Sequence, residues 1–240
     1  MAPPDALRVD LNADLAEEVT DDRALLEVVT SANVACGYHA GDDALMREVC
    51  AMAAERGVRV GAQVSYLDRE GFGRRALDVA AEVLAEQVAD QVGRLQDAAR
   101  AAGLEVTYLK PHGALYNRVV DDEEQAAAVL AGSGTLPVLG LPGGRVLRLA
   151  QEAGRTTYRE GFPDRGYRPD AGDGVARLLP RSEPGAVLED PDEIAARAVG
   201  LARAGVDSVC VHGDGATAVE TARRVRAALE AAGYDLQGFA

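Results

Sequence analysis

Short apolar runs alternate with longer amphipathic stretches along the chain, and this alternation limits the folds that the chain can adopt. Several of the short runs are apolar on both faces, as expected of parallel strands that are covered by helices. Seven such units in 240 residues favour a parallel β/α barrel or a doubly wound open sheet. The predicted strands are residues 7–14, 31–37, 58–65, 105–110, 136–141, 156–161 and 208–212.

The stretches between the predicted strands have apolar residues at helical spacing, and residues typical of helix ends flank them. Leu84, Val88 and Val92 recur at the period of one helix face. Asp190 followed by Pro191 offers an N-cap and a proline in the first helical turn. Five glycines follow helical stretches, where a left-handed residue commonly ends a helix. They are Gly57, Gly103, Gly154, Gly205 and Gly233.

Length and cysteine usage predict a cytoplasmic protein with one domain over residues 1–240. The size is that of a single α/β barrel, and no linker divides the chain. Residues 165–181 form the one long irregular segment, and such loops are usually functional or mobile. Three cysteines without paired spacing are typical of reduced thiols, and the N-terminus lacks the pattern of a secretory signal.

The charge balance argues against two classes of partner. The chain has 39 acidic and 25 basic residues, a formal net charge of −14. Such an acidic surface repels phosphate backbones and anionic lipid, so we expect neither nucleic-acid binding nor membrane binding. The basic residues are 24 arginines and one lysine, Lys110. An ammonium is a compact point charge, so a single lysine in an arginine-rich chain indicates a specific role.

The rare polar residues fall at the carboxyl ends of the predicted strands, where parallel α/β folds bind their ligands. Because these strand ends meet at one rim, we expect an acid–base site there. The expected catalytic residues are Asp14, His39, Lys110, His112 and His212. The expected substrate-binding residues are Asn12, Asn33, Gln63, Arg74, Arg75, Glu160 and Asp214.

Simpler structural roles are the alternative for individual residues. A carboxylate at a strand end is often the N-cap of the next helix, a role open to Asp42 and, less readily, to Asp14. Arg74 and Arg75 have the alternative of pairing with acidic groups on the rim. A lone histidine usually makes structural hydrogen bonds, but three histidines on one rim favour a functional role.

A metal site is the less favoured interpretation at this stage. His39, His112, His212 and Asp14 are chemically suitable ligands for a catalytic divalent ion. Their long spacings form no local motif, so a metal-free acid–base site is preferred and no residue is assigned to a metal. The sequence also has no Walker A motif, so any nucleotide is bound in another way.

Eight segments, in unbroken order from about residue 7 onward, resemble the LamB/YcsF family. Two of them contain long strings, Asn-Val-Ala-Cys-Gly-Tyr-His-Ala-Gly-Asp at 33–42 and Lys-Pro-His-Gly-Ala-Leu-Tyr-Asn at 110–117. The combination is highly specific. The other segments are residues 9–15, 71–75, 164–167, 180–181, 184–186 and 210–214.

The resemblance implies a distorted seven-stranded β/α barrel of the TIM-like kind, related to the carbohydrate deacetylases. It also implies the reaction of the bacterial ATP-dependent 5-oxoprolinase, in which 5-oxo-L-proline is opened to L-glutamate. ATP is then a co-substrate of a complex that includes partner subunits B and C, and a divalent metal stays an open question. Lys110 with Arg74 or Arg75 would bind the anionic lactam, and the histidines would move protons.

The chain departs from the family pattern at several positions. Gln63 stands where the family has a histidine, and an amide can hydrogen-bond but cannot accept a proton. Ala16 replaces a glycine, Asp43 replaces a proline, and the loop 168–177 is longer. Two alternatives therefore stay open: a metal-dependent amide or N-acetyl hydrolase, and a non-catalytic subunit that binds the lactam and regulates its partners.

Overall fold

The computed structural model describes residues 7–19, 21–212 and 217–238. Seven parallel strands close into a ring in sequence order, since the first strand pairs with both the second and the seventh. They are β1 (Leu7–Leu15), β2 (Ser31–Ala35), β3 (Arg59–Val64), β4 (Val106–Pro111), β5 (Val138–Gly140), β6 (Thr157–Gly161) and β7 (Ser208–Val211). The predicted TIM-like barrel is confirmed, and the open-sheet alternative is wrong.

Helices cover the outside of the ring. Asp42 is the N-cap of the second helix and accepts hydrogen bonds from the backbone N–H groups of Ala44 and Leu45, which confirms its structural role. The described helices are α1 (Asp22–Leu26), α2 (Asp43–Arg56), α3 (Ala81–Ala101), α4 (Gly113–Asp121), α5 (Glu123–Gly132), α6 (Arg145–Glu152), α7 (Pro191–Arg203) and α8 (Ala218–Ala231). Within the described ranges, no helix is long and apolar enough to cross a membrane.

The observed strands of the barrel differ from the predicted strands in two places. Residues 136–141 were expected to be extended, but only Val138–Gly140 form β5, and Val138 opposite Leu109 is its one register pair with β4. A short eighth strand, β8 (Tyr234–Leu236), pairs with the first residues of β1. Its three residues form no apolar run, so periodicity gave no signal for it.

The two faces of the strands have opposite character. In β1, Leu11, Ala13 and Leu15 face outward and join the apolar core, while the alternate residues face the barrel interior. The interior is therefore filled by buried polar side chains rather than by aliphatic layers. They are Asp10, Asn12, Asp14, Ser31, Asn33, Gln63, Tyr108, Lys110, Glu160 and Ser208.

A glycine makes room for the one aromatic ring of this interior group. Gly61 on β3 lies opposite Tyr108 on β4, and a Cβ at Gly61 would lie 2.2 Å from the Tyr108 ring. The ring therefore passes across β3, and the Tyr108 hydroxyl donates to Asn33 Oδ1 at 2.7 Å. A side chain at position 61 would displace the tyrosine from this network.

The predicted irregular segment lies between β6 and α7. Within it, Tyr167 and Leu178 form an antiparallel bridge, and the Arg168 N–H donates to the Arg177 carbonyl at 2.8 Å. We call residues 167–178 the tongue. The Arg177 guanidinium fixes the tongue to α4 through Asp121 at 2.7 Å. The tongue thereby covers one side of the carboxyl-terminal rim of the barrel.

The chain turns sharply after β1 at a residue that is poorly suited to the turn. Ala16 has φ of 60°, the left-handed region that costs an L-residue roughly 1–2 kcal/mol. This is the position where the family pattern has glycine. The turn is retained because the Ala16 N–H donates to Asp22 Oδ2 at 3.1 Å and the side chain is buried.

We expect Ala16→Gly to leave the protein at least as stable as the wild type, since relief of the left-handed strain offsets the loss of a buried methyl group. Ala32→Gly is the matched control, because Ala32 is equally buried but lies in the regular strand β2. It should lower the free energy of unfolding by about 1–2 kcal/mol. Urea denaturation of both variants measures the difference, and equal destabilisation would contradict the proposed strain.

Candidate active site

Lys110 lies inside the barrel near the carboxyl end of β4 and is almost fully buried. Its Nζ lies 3.0 Å from Asp14 Oδ1 and 2.9 Å from Glu160 Oε1. Burial alone would lower the pKa of Lys110, but the carboxylates of Asp14 and Glu160 outweigh it and hold that pKa well above its usual value. Burial likewise opposes ionisation of Asp14, yet the Lys110 charge keeps the pKa of Asp14 below its usual range. The pair is therefore ionised at neutral pH.

Two asparagines hold the carboxylates against the ammonium. Asn33 Nδ2 donates to Asn12 Oδ1 at 2.6 Å and to Asp14 Oδ1 at 2.9 Å. Asn12 Nδ2 donates to Glu160 Oε1 at 3.1 Å, and the Tyr116 hydroxyl donates to Glu160 Oε2 at 2.7 Å. The predicted substrate-binding residues Asn12, Asn33 and Glu160 thus lie behind the pocket wall, where they fix the partners of Lys110.

A second buried cluster joins the rim ends of β1, β2 and β4. His39 Nε2 and His112 Nδ1 each lie 3.4 Å from Glu17 Oε1. The two imidazoles stack with centroids 3.9 Å apart, and the Phe72 ring packs edge-on against both. Asp14 Oδ2 lies 4.0 Å from His112 Nδ1, so Asp14 links this cluster to Lys110.

Glu17, His39 and His112 form a group that fits a divalent metal ion. One potential ligand atom from each lies within 4.8 Å of the others, and all three residues are buried. Neither ring nitrogen of His39 makes a hydrogen bond to any described residue, although both are buried. Burial and the neighbouring His39 ring hold the pKa of His112 well below its usual value, which favours the neutral ring that a metal requires. Two imidazoles and a carboxylate are a common catalytic metal set.

Gln63, the main departure from the family pattern, lies inside this cluster. Its Nε2 lies 3.0 Å from Glu17 Oε1 and 2.9 Å from His112 Nδ1. Its Oε1 is buried and makes no hydrogen bond within the described residues. The amide thus bridges two potential metal ligands at the position where the family pattern has a histidine.

A partly buried histidine–aspartate pair lies on the other side of the rim. His212 Nδ1 lies 2.7 Å from Asp164 Oδ2, which also accepts the backbone N–H of His212 at 3.2 Å. The Phe162 ring stacks on the imidazole at 5.2 Å. Burial opposes a charge on His212, but Asp164 outweighs it and raises the pKa of His212 above its ordinary value. The same contact lowers the pKa of Asp164 despite its burial.

Both sides of the rim open into one pocket of about 550 Å³. Of the predicted catalytic residues, Asp14, Lys110, His112 and His212 line it, while His39 lies behind His112. Apolar walls complete the pocket. They come from Tyr66, Tyr116, Leu141, Phe162, Leu178 and Pro180.

The two arginines that were predicted to bind substrate lie in different environments in the structure. Arg74 lines the pocket, with its guanidinium 4.9 Å from the centre of the Phe72 ring. Arg75 lies outside the pocket and pairs with Asp68 at 2.8 Å and Glu70 at 3.3 Å. The pairing alternative is thus the one that Arg75 adopts. The predicted binding residue Asp214 lies outside the described residues.

Among the residues of this site that sequence reasoning gave no role are Glu17 and Asp164. Glu17 follows Ala16, whose backbone has a left-handed conformation. No local sequence motif predicts that the Glu17 side chain lies at the rim. Asp164 lies in one of the segments that resemble the family, which is the signal that could have identified it. Both act through histidines that are far away in sequence, His39 and His212.

The LamB/YcsF family model matches residues 9–240 of the chain. The A subunit of 5-oxoprolinase from Streptomyces avermitilis is 55% identical, and the alignment covers 97% of this chain and 100% of that protein. A crystal structure titled as a lactam utilization protein from Thermus thermophilus matches with a TM-score of 0.87 and 37% identity, covering 97% of this chain and 100% of that one.

A more distant likeness extends to a deacetylase. The catalytic domain of a peptidoglycan N-acetylglucosamine deacetylase from Eubacterium rectale matches with a TM-score of 0.55 and 13% identity, covering 100% of this chain and 91% of that one. At this identity the match shows a shared fold and no more. The family model and the close relatives go further: this chain belongs to the LamB/YcsF family.

Proposed function

We propose that this chain is the A subunit of an ATP-dependent 5-oxoprolinase, which opens 5-oxo-L-proline to L-glutamate. The Streptomyces avermitilis relative carries the name of that subunit, and the Thermus thermophilus structure is titled as a lactam utilization protein. The observation that carries the proposal is the placement of an ionised Lys110–Asp14 pair and a His212–Asp164 pair on one pocket. These groups supply the charge and the proton that lactam opening needs.

Lys110 is the residue best placed to stabilise negative charge on the lactam oxygen. A five-membered lactam is a poor electrophile, and its hydrolysis requires a donor for the developing oxyanion. Two of the Lys110 contacts are strong carboxylate acceptors, but another is the Cys210 thiol at 3.2 Å, a weak acceptor. An N–H that faces so weak an acceptor can turn to a substrate oxygen at little cost.

His212 is the residue that we propose as proton donor to the leaving ring nitrogen. Asp164 holds Nδ1 of His212 as a donor, which leaves Nε2 for the substrate. The raised pKa of His212 increases the protonated fraction near neutral pH. Stacking on Phe162 fixes the plane of the ring. The arrangement is that of an oriented general acid.

Glu17, His39 and His112 are the residues that we propose to hold a divalent metal. When bound, such an ion acts as a Lewis acid and lowers the pKa of a water molecule. Gln63 supports this site by donating to Glu17 and lying beside His112, so it orients two ligands and need not be one. This proposal replaces the metal-free interpretation that the sequence spacings favoured.

Partner subunits B and C and the co-substrate ATP complete the proposed activity. ATP supplies the driving force by transferring its γ-phosphoryl group to the lactam oxygen with release of ADP. Water then opens the ring to glutamate and phosphate is released, and this chain contributes the pocket in which the ring opens. We also propose that the chain works in the cytoplasm as one domain over residues 1–240. The side chains that were given roles above act on the lactam ring and its oxygen. The adenine ring of ATP is proposed to bind elsewhere in the complex.

A metal-dependent amide hydrolase without ATP is the second candidate function. It is favoured by one observation, the buried group of Glu17, His39 and His112 in a barrel whose fold is shared with a deacetylase. The two candidates differ in what the isolated chain can do, because only the second is active without partner subunits.

The isolated chain is expected to release little glutamate from 5-oxoproline and ATP, and to gain that activity when purified subunits B and C are added. Glutamate release in the reconstituted mixture measures it. Robust activity of the isolated chain without ATP would favour the amide hydrolase, and an inactive complete mixture would contradict the proposal.

Lys110→Arg should lower kcat of the reconstituted complex by about 100-fold or more, since the guanidinium cannot reproduce the ammonium contacts. Arg47→Lys, on the exposed face of α2, is the matched control and should keep wild-type rates. Glutamate release by the two variants gives the comparison. A wild-type rate in Lys110→Arg would remove Lys110 from the catalytic residues.

The His212–Asp164 pair predicts how activity depends on pH. A general acid must be protonated, so kcat/KM should fall as the pH rises through the raised pKa of His212. Asp164→Asn removes the charge that raises this pKa, so the alkaline limb should move to lower pH. The pH profiles of the wild type and the variant in the reconstituted complex measure the shift. Superimposable profiles would exclude His212 as the acid.

The metal site predicts binding that can be measured without activity. The chain should bind about one equivalent of zinc or cobalt per molecule, and Glu17→Gln should abolish it. His212→Asn is the matched control, because His212 pairs with Asp164 outside the group and should leave the stoichiometry unchanged. Elemental analysis after dialysis gives the count. Equal metal content in Glu17→Gln and wild type would exclude this group as the site.

A further inference from the structure

Phe72 lies in the loop between β3 and α3 and has a backbone conformation that is unusual for an aromatic residue. Its φ of 55° falls in the left-handed region, where the Cβ of an L-residue crowds the backbone. Strain of this kind persists only where the surrounding structure enforces it, and it is concentrated at functional sites. The contacts that require this conformation are therefore candidates for a functional role.

The loop that contains Phe72 is seated directly on the start of α4. The Gly73 N–H donates to the Asp68 carbonyl at 2.8 Å, and the Gly73 carbonyl accepts the Ala114 N–H at 2.8 Å. A Cβ at Gly113, the first residue of α4, would lie 2.3 Å from the Gly73 carbonyl oxygen. The two segments thus approach more closely than side chains would permit, and this contact fixes the backbone beside Phe72.

Phe72 contacts two of the proposed metal ligands, and it uses both its side chain and its backbone to do so. The ring packs edge-on against His39 and His112, with centroid distances of 5.7 Å and 5.5 Å. The Phe72 carbonyl oxygen lies 3.2 Å from His112 Nε2. The Arg74 guanidinium lies 4.9 Å from the centre of the Phe72 ring. One strained residue therefore places an apolar ring and a hydrogen-bond acceptor against His112.

The hydrogen bonds on the other side of His112 determine which ring nitrogen carries its proton. Gln63 Nε2 lies 3.0 Å from Glu17 Oε1 and 2.9 Å from His112 Nδ1. An ionised carboxylate only accepts hydrogen bonds, so Gln63 must turn its N–H groups, and not its oxygen, toward Glu17. The same amide nitrogen then donates to His112 Nδ1, which must be an unprotonated acceptor. The proton of the imidazole is therefore on Nε2, where it is donated to the Phe72 carbonyl.

We propose that Phe72 is a positioning residue whose backbone carbonyl binds the Nε2 proton of His112 and so leaves the Nδ1 lone pair for the metal ion. Histidine ligands of metals commonly donate their other N–H to a carbonyl, which fixes both the tautomer and the plane of the ring. Nδ1 is also the nitrogen that faces Glu17, at 3.4 Å from Oε1. The Phe72 ring, packed on both imidazoles, holds the carbonyl in place and accounts for the strain. The inference rests on the proposed function, since the metal ion is proposed there.

Nitrogen-15 NMR of the metal-free full chain, labelled at histidine, measures the tautomer directly, because protonated and unprotonated ring nitrogens have different chemical shifts. The chain has three histidines, so His112→Asn assigns the signals of His112. We expect the proton on Nε2, and we expect it to exchange with water about tenfold faster in Phe72→Ala, where the carbonyl is no longer held. A wild-type His112 that carries its proton on Nδ1 would overturn the proposal without any variant at position 72.

Zinc titration of the same proteins measures the consequence for metal binding. Phe72→Ala should weaken zinc binding by about 10–100-fold, as expected when a group that orients a ligand is lost. Phe72→Tyr keeps the aromatic ring and should bind zinc like the wild type. Leu67→Ala is the matched control, because Leu67 lies in the same loop but is 60% exposed, and it should also bind zinc like the wild type. Thermal melts establish that each variant is folded. Wild-type affinity in Phe72→Ala, or an equal loss in Leu67→Ala, would overturn the proposal.

Glutamate release by the reconstituted complex separates this inference from the proposed function. If the complex releases glutamate but Phe72→Ala binds zinc like the wild type, the positioning role is wrong and the function stands. If the tautomer and the zinc affinities are as expected but the complex releases no glutamate, the function is wrong and the positioning role stands. A wild-type chain that binds no zinc would overturn the positioning role together with the metal site, whether or not the complex is active.

Discussion

The buried ammonium of Lys110 is the interaction on which the interior of the barrel depends. The interior also contains the carboxyl groups of Asp10, Asp14 and Glu160, and buried charges are tolerated only when they are paired and hydrogen-bonded. Lys110 compensates Asp14 and Glu160 directly. Asp10 lies deeper, where burial raises its pKa to about 6 although hydroxyl donors, Ser208 among them, oppose the rise. Without the ammonium, two carboxylates would lose their compensating charge.

This constraint gives a physical reason for the single lysine. Arginine supplies every other cation, and a guanidinium suits exposed pairs and forks of carboxylate oxygens. The interior position instead requires a compact group that meets oxygens of Asp14 and Glu160 at about 3 Å together with the Cys210 thiol. A planar guanidinium has neither the size nor the donor directions for that position. Among the described residues, the interior of the barrel is thus occupied by the ammonium and not by a guanidinium.

Much of the fold and part of the site could be predicted from the sequence. The seven barrel strands follow from local periodicity, and parallel topology then brings Asp14, Lys110, His112 and His212 to one rim. Which residues touch was not predictable, because contact depends on the register of the ring and on turns such as the one at Ala16. That turn places Glu17 beside His39, so the group that fits a metal includes a residue that lies beyond the predicted strand and was given no role from the sequence.

Asp14 joins the two halves of the site, and this link bears on how they act together. One oxygen lies 3.0 Å from Lys110 Nζ, and the other lies 4.0 Å from His112 Nδ1. A change of charge at the histidine cluster is therefore felt at the ammonium through one carboxylate in a medium of low dielectric. Hydrolysis of a lactam requires an activated water molecule, stabilisation of the oxyanion and a proton for the leaving nitrogen. Under the proposed function, Asp14 would couple the group that activates water to the donor that stabilises the oxyanion, and the His212–Asp164 pair would supply the proton from the same pocket.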